Sequence, residues 1–157
     1  MLLIPGVELS NDTKSYHIVV VGVKRFIDPA LPVEEIAFQA REQSALTIAI
    51  HPCRREGGWS DKSLLWREHE KYGRVINAWE AANRREIYAD IVSNRYKIIG
   101  CLNFHKPEHI YSWKTLLYAE KNVDSVKEAI RHGYTALHFY GENMERTVSK
   151  HSPTKVR

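Results

Sequence analysis

Short apolar runs rich in β-branched residues alternate with amphipathic stretches along most of this chain, and that alternation limits what it can fold into. Tyr16–Val23 reads as a buried strand, preceded by Leu2–Ile4 and Val7–Leu9. Val33, Ile36, Ala37 and Ala40 recur at helical spacing. Leu46–Ile50 is a strand that stops at His51-Pro52, where proline should force His51 into extended geometry. Ser60 or Asp61 can cap a helix carrying Leu64, Leu65 and Trp66. Val75–Trp79 is a further strand, and Ile87, Tyr88, Ile91 and Val92 mark a helix face. Lys97–Leu102 is the next strand. Asp124 caps a helix with Val126, Ala129 and Ile130 inward and Gly133 as its stop, and Thr135–Tyr140 is the last strand. Repeated alternation of this kind predicts an α/β fold with a mostly parallel sheet or part of a barrel, whose ligand site lies beyond the carboxyl ends of the strands.

The chain has 157 residues, enough for one domain with a real core. We expect residues 1–141 to form that domain and the charged segment 142–157 to be a disordered tail. The longest apolar stretch, Ile18–Val23, is far too short for the roughly 20 residues of a membrane span. Met1–Val7 lacks a basic leader and a cleavage site, so no secretory signal is expected. Cys53 and Cys101 match neither a disulfide scaffold nor a zinc spacing, and a cytoplasmic location fits. The 23 basic and 19 acidic residues leave a formal charge of +4, mildly favourable to anionic ligands.

Polar residues fall at informative places. Glu8 lies in or just after the first strand, and His17 opens the second. His51 ends the third, and Asn103 with His105 follows the fifth. Nitrogen and oxygen donors of this mix suit Zn, Mn or Fe rather than calcium. The plainer alternatives are a surface carboxylate for Glu8, an imidazole capping Asp12 or Ser15 for His17, and a structural histidine before proline for His51. For Asn103 the alternative is capping of the following turn.

The runs Ile4-Pro5-Gly6-Val7-Glu8-Leu9-Ser10, Tyr16–Val23, Ala49-Ile50-His51-Pro52 and Asn103-Phe104-His105-Lys106-Pro107 resemble, in order and spacing, the later motifs of the PHP (polymerase and histidinol phosphatase) superfamily. The resemblance runs from about Leu2 to Tyr140. It implies a partial, distorted (β/α)7 TIM-like barrel and a phosphoesterase that uses two or three clustered divalent ions. By position it implies metal ligation by Glu8, His17, His51, Asn103 and His105, with Glu8 bridging. Arg54 and Arg55, just after His51, would then contact the substrate phosphate. The implied chemistry is attack of a metal-activated water on a phosphate ester.

Two departures stand out. The H-x-H and T-D-H motifs that open the family pattern have no counterpart here, and Asn103 stands where aspartate is usual. Fewer ions than the family's two or three are therefore expected, and a second copy or another chain would complete the barrel. The alternative is a non-catalytic PHP-like subunit or interaction module with a degenerate metal site. A third reading, nucleic-acid binding through Arg146, Lys150, Lys155 and Arg157, rests on charge alone.

Overall fold

The structure is a computed structural model and describes residues 1–11, 16–53, 63–141 and 145–149. Its main sheet has six strands: β1 (Gly6–Asn11), β2 (Tyr16–Val21), β3 (Leu46–Ile50), β4 (Ala78–Asn83), β5 (Glu86–Ile87) and β6 (Ile98–Cys101). The pairings β1–β2, β2–β3 and β4–β5 are antiparallel, and only β3–β4 and β4–β6 are parallel. A smaller sheet, β7 (Ser112–Leu117), β8 (Thr135–Tyr140) and β9 (Glu145–Ser149), is antiparallel throughout. Helix α1 (Val33–Glu42) lies between β2 and β3, and α5 (Val123–His132) between β7 and β8. The short helices α2 (Leu64–Arg67), α3 (His69–Tyr72) and α4 (Ala89–Val92) have one turn each.

This overturns the expectation of a partial barrel with mostly parallel strands: both sheets are open. The physical reason lies in the connections. A helix between two strands suggests a crossover, which is what a parallel pair requires. Yet β2–α1–β3 and β7–α5–β8 each place their flanking strands side by side and antiparallel. A connection long enough to hold a helix is long enough to return in either direction, so hydrophobic spacing alone cannot tell the two apart.

The centre of the main sheet, β3 and β4, is buried on both faces. On one, Ile18, Val20, Ala49 and Trp79 pack with Val33, Ile36 and Ala40 of α1. On the other, Leu46, Ile48, Ile50 and Ala78 pack with Ile130 and Val126 of α5. Burying an aliphatic side chain such as Ile18 or Ile48 contributes about 1.5–3 kcal/mol. The smaller sheet is tied to β6 by side-chain hydroxyls: Thr115 Oγ1 accepts from Gly100 N and donates to Gly100 O, and Thr135 Oγ1 donates to Ile98 O. Glycine at position 100 suits that approach, since a Cβ there would meet Lys114 O at a tight 3.2 Å.

Several boundaries differ from the sequence reading. The strand expected at Val75–Trp79 runs from Ala78 to Asn83, because the backbone N–H groups of Val75 and Ile76 bond back to Tyr72 O in a turn. The helix face expected from Ile87 is split, with Ile87 in β5 and exposed. Within the expected tail, residues 145–149 pair with β8. Ser60 and Asp61 lie outside the described residues, and Ser63 caps α2 instead. No helix among the described residues is long and apolar enough to cross a membrane.

The cap of helix α5 lies two residues before the expected one. Asn122 Oδ1 accepts from Ser125 N at 2.8 Å, and Gly133 closes the helix at φ 73°. Replacing either Asn122 or Gly133 with alanine should lower the unfolding free energy by about 1 kcal/mol. The reading is a lower urea midpoint at unchanged slope. Unchanged midpoints in both variants would show that packing alone holds α5.

Candidate functional site

The register of the first two strands creates the first element of the site. Glu8 lies opposite Val19 and Ser10 opposite His17, so Glu8 and His17 sit diagonally on one face of the ribbon. Glu8 Oε1 and His17 Nδ1 are 2.7 Å apart, with both side chains about half-exposed. The imidazole donates through Nδ1, which makes Nε2 the nitrogen able to accept a proton or a cation. Next along the sheet, His17 pairs with Ile50, the last residue of β3, and His51 follows. The His17 and His51 rings lie 5.4 Å apart. Three of the five residues expected to ligate metal are thus gathered at one end of the sheet.

His51 does not adopt the extended geometry that a following proline suggests. Its φ is +44°, in the left-handed region. Arg84, just after β4, and Asn103, two residues past β6, have φ of +49° and +46°. Backbone strain thus collects at the carboxyl ends of all three parallel strands, at roughly 1–3 kcal/mol per residue. At His51 the compensation is visible: its N–H donates to Glu80 Oε2 at 2.5 Å.

Glu80 was not among the residues anticipated from sequence. It lies in β4, wholly buried, and its other oxygen accepts from Asn83 Nδ2 at 2.8 Å. The signal that could have revealed it is a lone carboxylate inside the run Ala78-Trp79-Glu80-Ala81-Ala82, since buried carboxylates are rare unless partnered. Cys101, ending β6, is drawn into the same group. Burial pushes its thiol up to about 11, and the neighbouring negative charge of Glu80, to which it hydrogen-bonds, adds to the rise.

The remaining two expected ligands form a separate pair. His105 Nε2 donates to Asn103 Oδ1 at 2.8 Å, and the His105 backbone N–H donates to His109 Nδ1 at 2.9 Å. His105 is therefore engaged with Asn103 and His109 rather than with Glu8, His17 or His51. Arg54 and Arg55, expected at the substrate phosphate, lie outside the described residues.

The donors suit a divalent cation in type, but not in arrangement. Among the described residues, no three His, Cys, Asp or Glu side chains converge as metal ligands. Glu8 and His17 hydrogen-bond each other through Oε1 and Nδ1, His105 Nε2 bonds an amide, and Glu80 is committed to N–H groups. A cluster of ions also needs bridging carboxylates to offset cation–cation repulsion, and among the described residues Glu8 is the half-exposed carboxylate seen paired with one of these imidazoles. As they stand, these residues do not fit a two- or three-ion centre.

No family model matches the sequence, and none of the curated proteins does. Among solved structures, the fold is similar to the crystal structure of a two-domain protein containing a predicted PHP-like metal-dependent phosphoesterase, from Bacteroides vulgatus ATCC 8482. The TM-score is 0.68 at 20% sequence identity over 89% of this chain. The match spans 45% of that protein, so this chain corresponds to less than half of it. At this identity the likeness establishes a shared fold.

The geometry around Cys101 makes its reactivity predictable. In a Cys53→Ser background, alkylation of Cys101 by iodoacetamide should be slow at pH 8 and accelerate as pH climbs toward about 11. The thiol titrates higher in the folded state than its ordinary 9.0, so its contribution to stability is complete below that value and is lost as pH rises through about 11. Alkylation at pH 8 as fast as in the unfolded chain would contradict this burial.

Proposed function

We propose that this chain forms part of a PHP-type, metal-dependent phosphoesterase domain that hydrolyses a phosphate ester. The observation that carries the reading is the Glu8–His17–His51 group at one end of the sheet. The similar fold of a protein that contains a predicted phosphoesterase supports it. On this reading the chain contributes the carboxylate of Glu8 and the imidazoles of His17 and His51. Donors outside the described residues, from a second copy or another chain, complete the ion-binding centre. Arg54 and Arg55 are assigned to the substrate phosphate because guanidinium grips phosphate in a bidentate fork.

The test is hydrolysis of p-nitrophenyl phosphate with and without added Mn²⁺. A rate stimulated by Mn²⁺ and lowered at least about 100-fold in His51→Ala is expected, as for loss of a group that acts on the reacting centre. Equal rates in parent and variant would overturn the catalytic reading.

A specific observation favours a second reading, a non-catalytic module with a degenerate metal site. Asn103 presents a neutral amide where the resemblance implies aspartate, and it already satisfies His105. Metal content by mass spectrometry distinguishes the two. On the catalytic reading, dialysed parent chain retains ions, and Asn103→Asp retains at least as many. Retention by Asn103→Asp alone would favour a decayed site on a retained fold.

A further inference from the structure

We propose that Glu80 is a positioning residue for His51, its buried carboxylate holding the left-handed backbone that sets the imidazole beside His17. The inference rests on the assignment of Glu8, His17 and His51 to one site.

A carboxylate removed from water is unfavourable unless its oxygens are hydrogen-bonded, and an apolar side chain of similar volume usually serves packing as well or better. Glu80 is entirely buried, yet both oxygens are engaged: Oε2 by His51 N–H and Oε1 by Asn83 Nδ2. Packing therefore does not account for a carboxylate here. What it supplies, and leucine cannot, is an acceptor for a backbone N–H just beyond the last ladder residue of β3. His51 stands there, at φ +44°.

The register shows why β4 is the strand that carries it. Ile48 pairs with Ala78 and Glu80 with Ile99, so β4 lies between β3 and β6. From that central position one carboxylate reaches His51 after β3, Asn83 on its own strand, and Cys101 at the end of β6. The three parallel strands are fastened together at the end where the candidate site residues sit. The 5.4 Å spacing of the His17 and His51 rings depends on where this fastening leaves the His51 backbone.

The experiment uses the full 157-residue chain, uniformly labelled with ¹⁵N, as Glu80→Leu, Glu80→Gln, Asn83→Ala and His51→Ala. Leucine keeps the volume without an acceptor. Glutamine keeps one carbonyl oxygen for His51 N–H, and Asn83 can rotate its amide to meet the new NH₂. Amide exchange at His51 and hydrolysis of p-nitrophenyl phosphate are read together. In Glu80→Leu, His51 should exchange at least about ten-fold faster and hydrolysis should fall at least about ten-fold, while the thermal midpoint falls only moderately, because His51 N–H and Asn83 Nδ2 lose their acceptor. Glu80→Gln should restore exchange and rate to within about three-fold of the parent.

Parental His51 exchange in Glu80→Leu would overturn the proposal. So would a collapse of stability in Glu80→Leu with no rescue by glutamine, since that marks a purely structural role. If Glu80→Leu does not fold, Asn83→Ala decides. It frees the other oxygen and loosens the carboxylate, so His51 exchange at least about three-fold faster than in the parent supports the assignment and parental exchange overturns it. Unchanged hydrolysis in His51→Ala would instead sink the site reading, leaving the Glu80–His51 contact to be judged on exchange.

Discussion

A carboxylate with no access to water has to be satisfied by the protein, and in this fold the strand ends of the main sheet supply the satisfaction. Glu80 takes its donors from the backbone of one strand end and from side chains of two others. Removing one partner of such a group typically costs about 1–3 kcal/mol, because a buried polar group is left unpaired. The three strand ends are therefore less independent than their short ladders suggest. Their left-handed residues persist because the surroundings over-determine them.

Much of the local structure was legible in the residues. The four apolar positions that mark α1 are its four buried ones. The last strand of the alternating pattern begins and ends where its β-branched and aromatic run does. Gly133 stops α5 because a left-handed residue there suits glycine. The strand direction was not legible. Side-chain periodicity records which face is buried, not which way the next strand runs, so α1 and α5 looked like crossovers when they join antiparallel neighbours.

The site shows the same division. His51 sits at the end of β3, as Pro52 suggested, but its backbone conformation is set by a residue 29 positions away. No local rule contains that contact. Glu8 and His17 meet because of a hairpin register, which their spacing in sequence permits without requiring. Asn103 and His105, two residues apart, find each other instead of the rest of the group. Motif order located the candidate residues, and tertiary hydrogen bonding decided which of them assemble.

Among the described residues, strand β1 has a neighbour on one side only. It carries Glu8, whereas the imidazole that Glu8 holds belongs to β2, paired on both sides. Fraying is easiest where a single ladder must open. The one carboxylate of the group that is reachable from water is thus mounted on a hinge-like margin, and the imidazoles on the frame. Any ligand that grips both would draw the margin onto the frame, so the ordering of the amino-terminal ribbon and the filling of the site are thermodynamically one event.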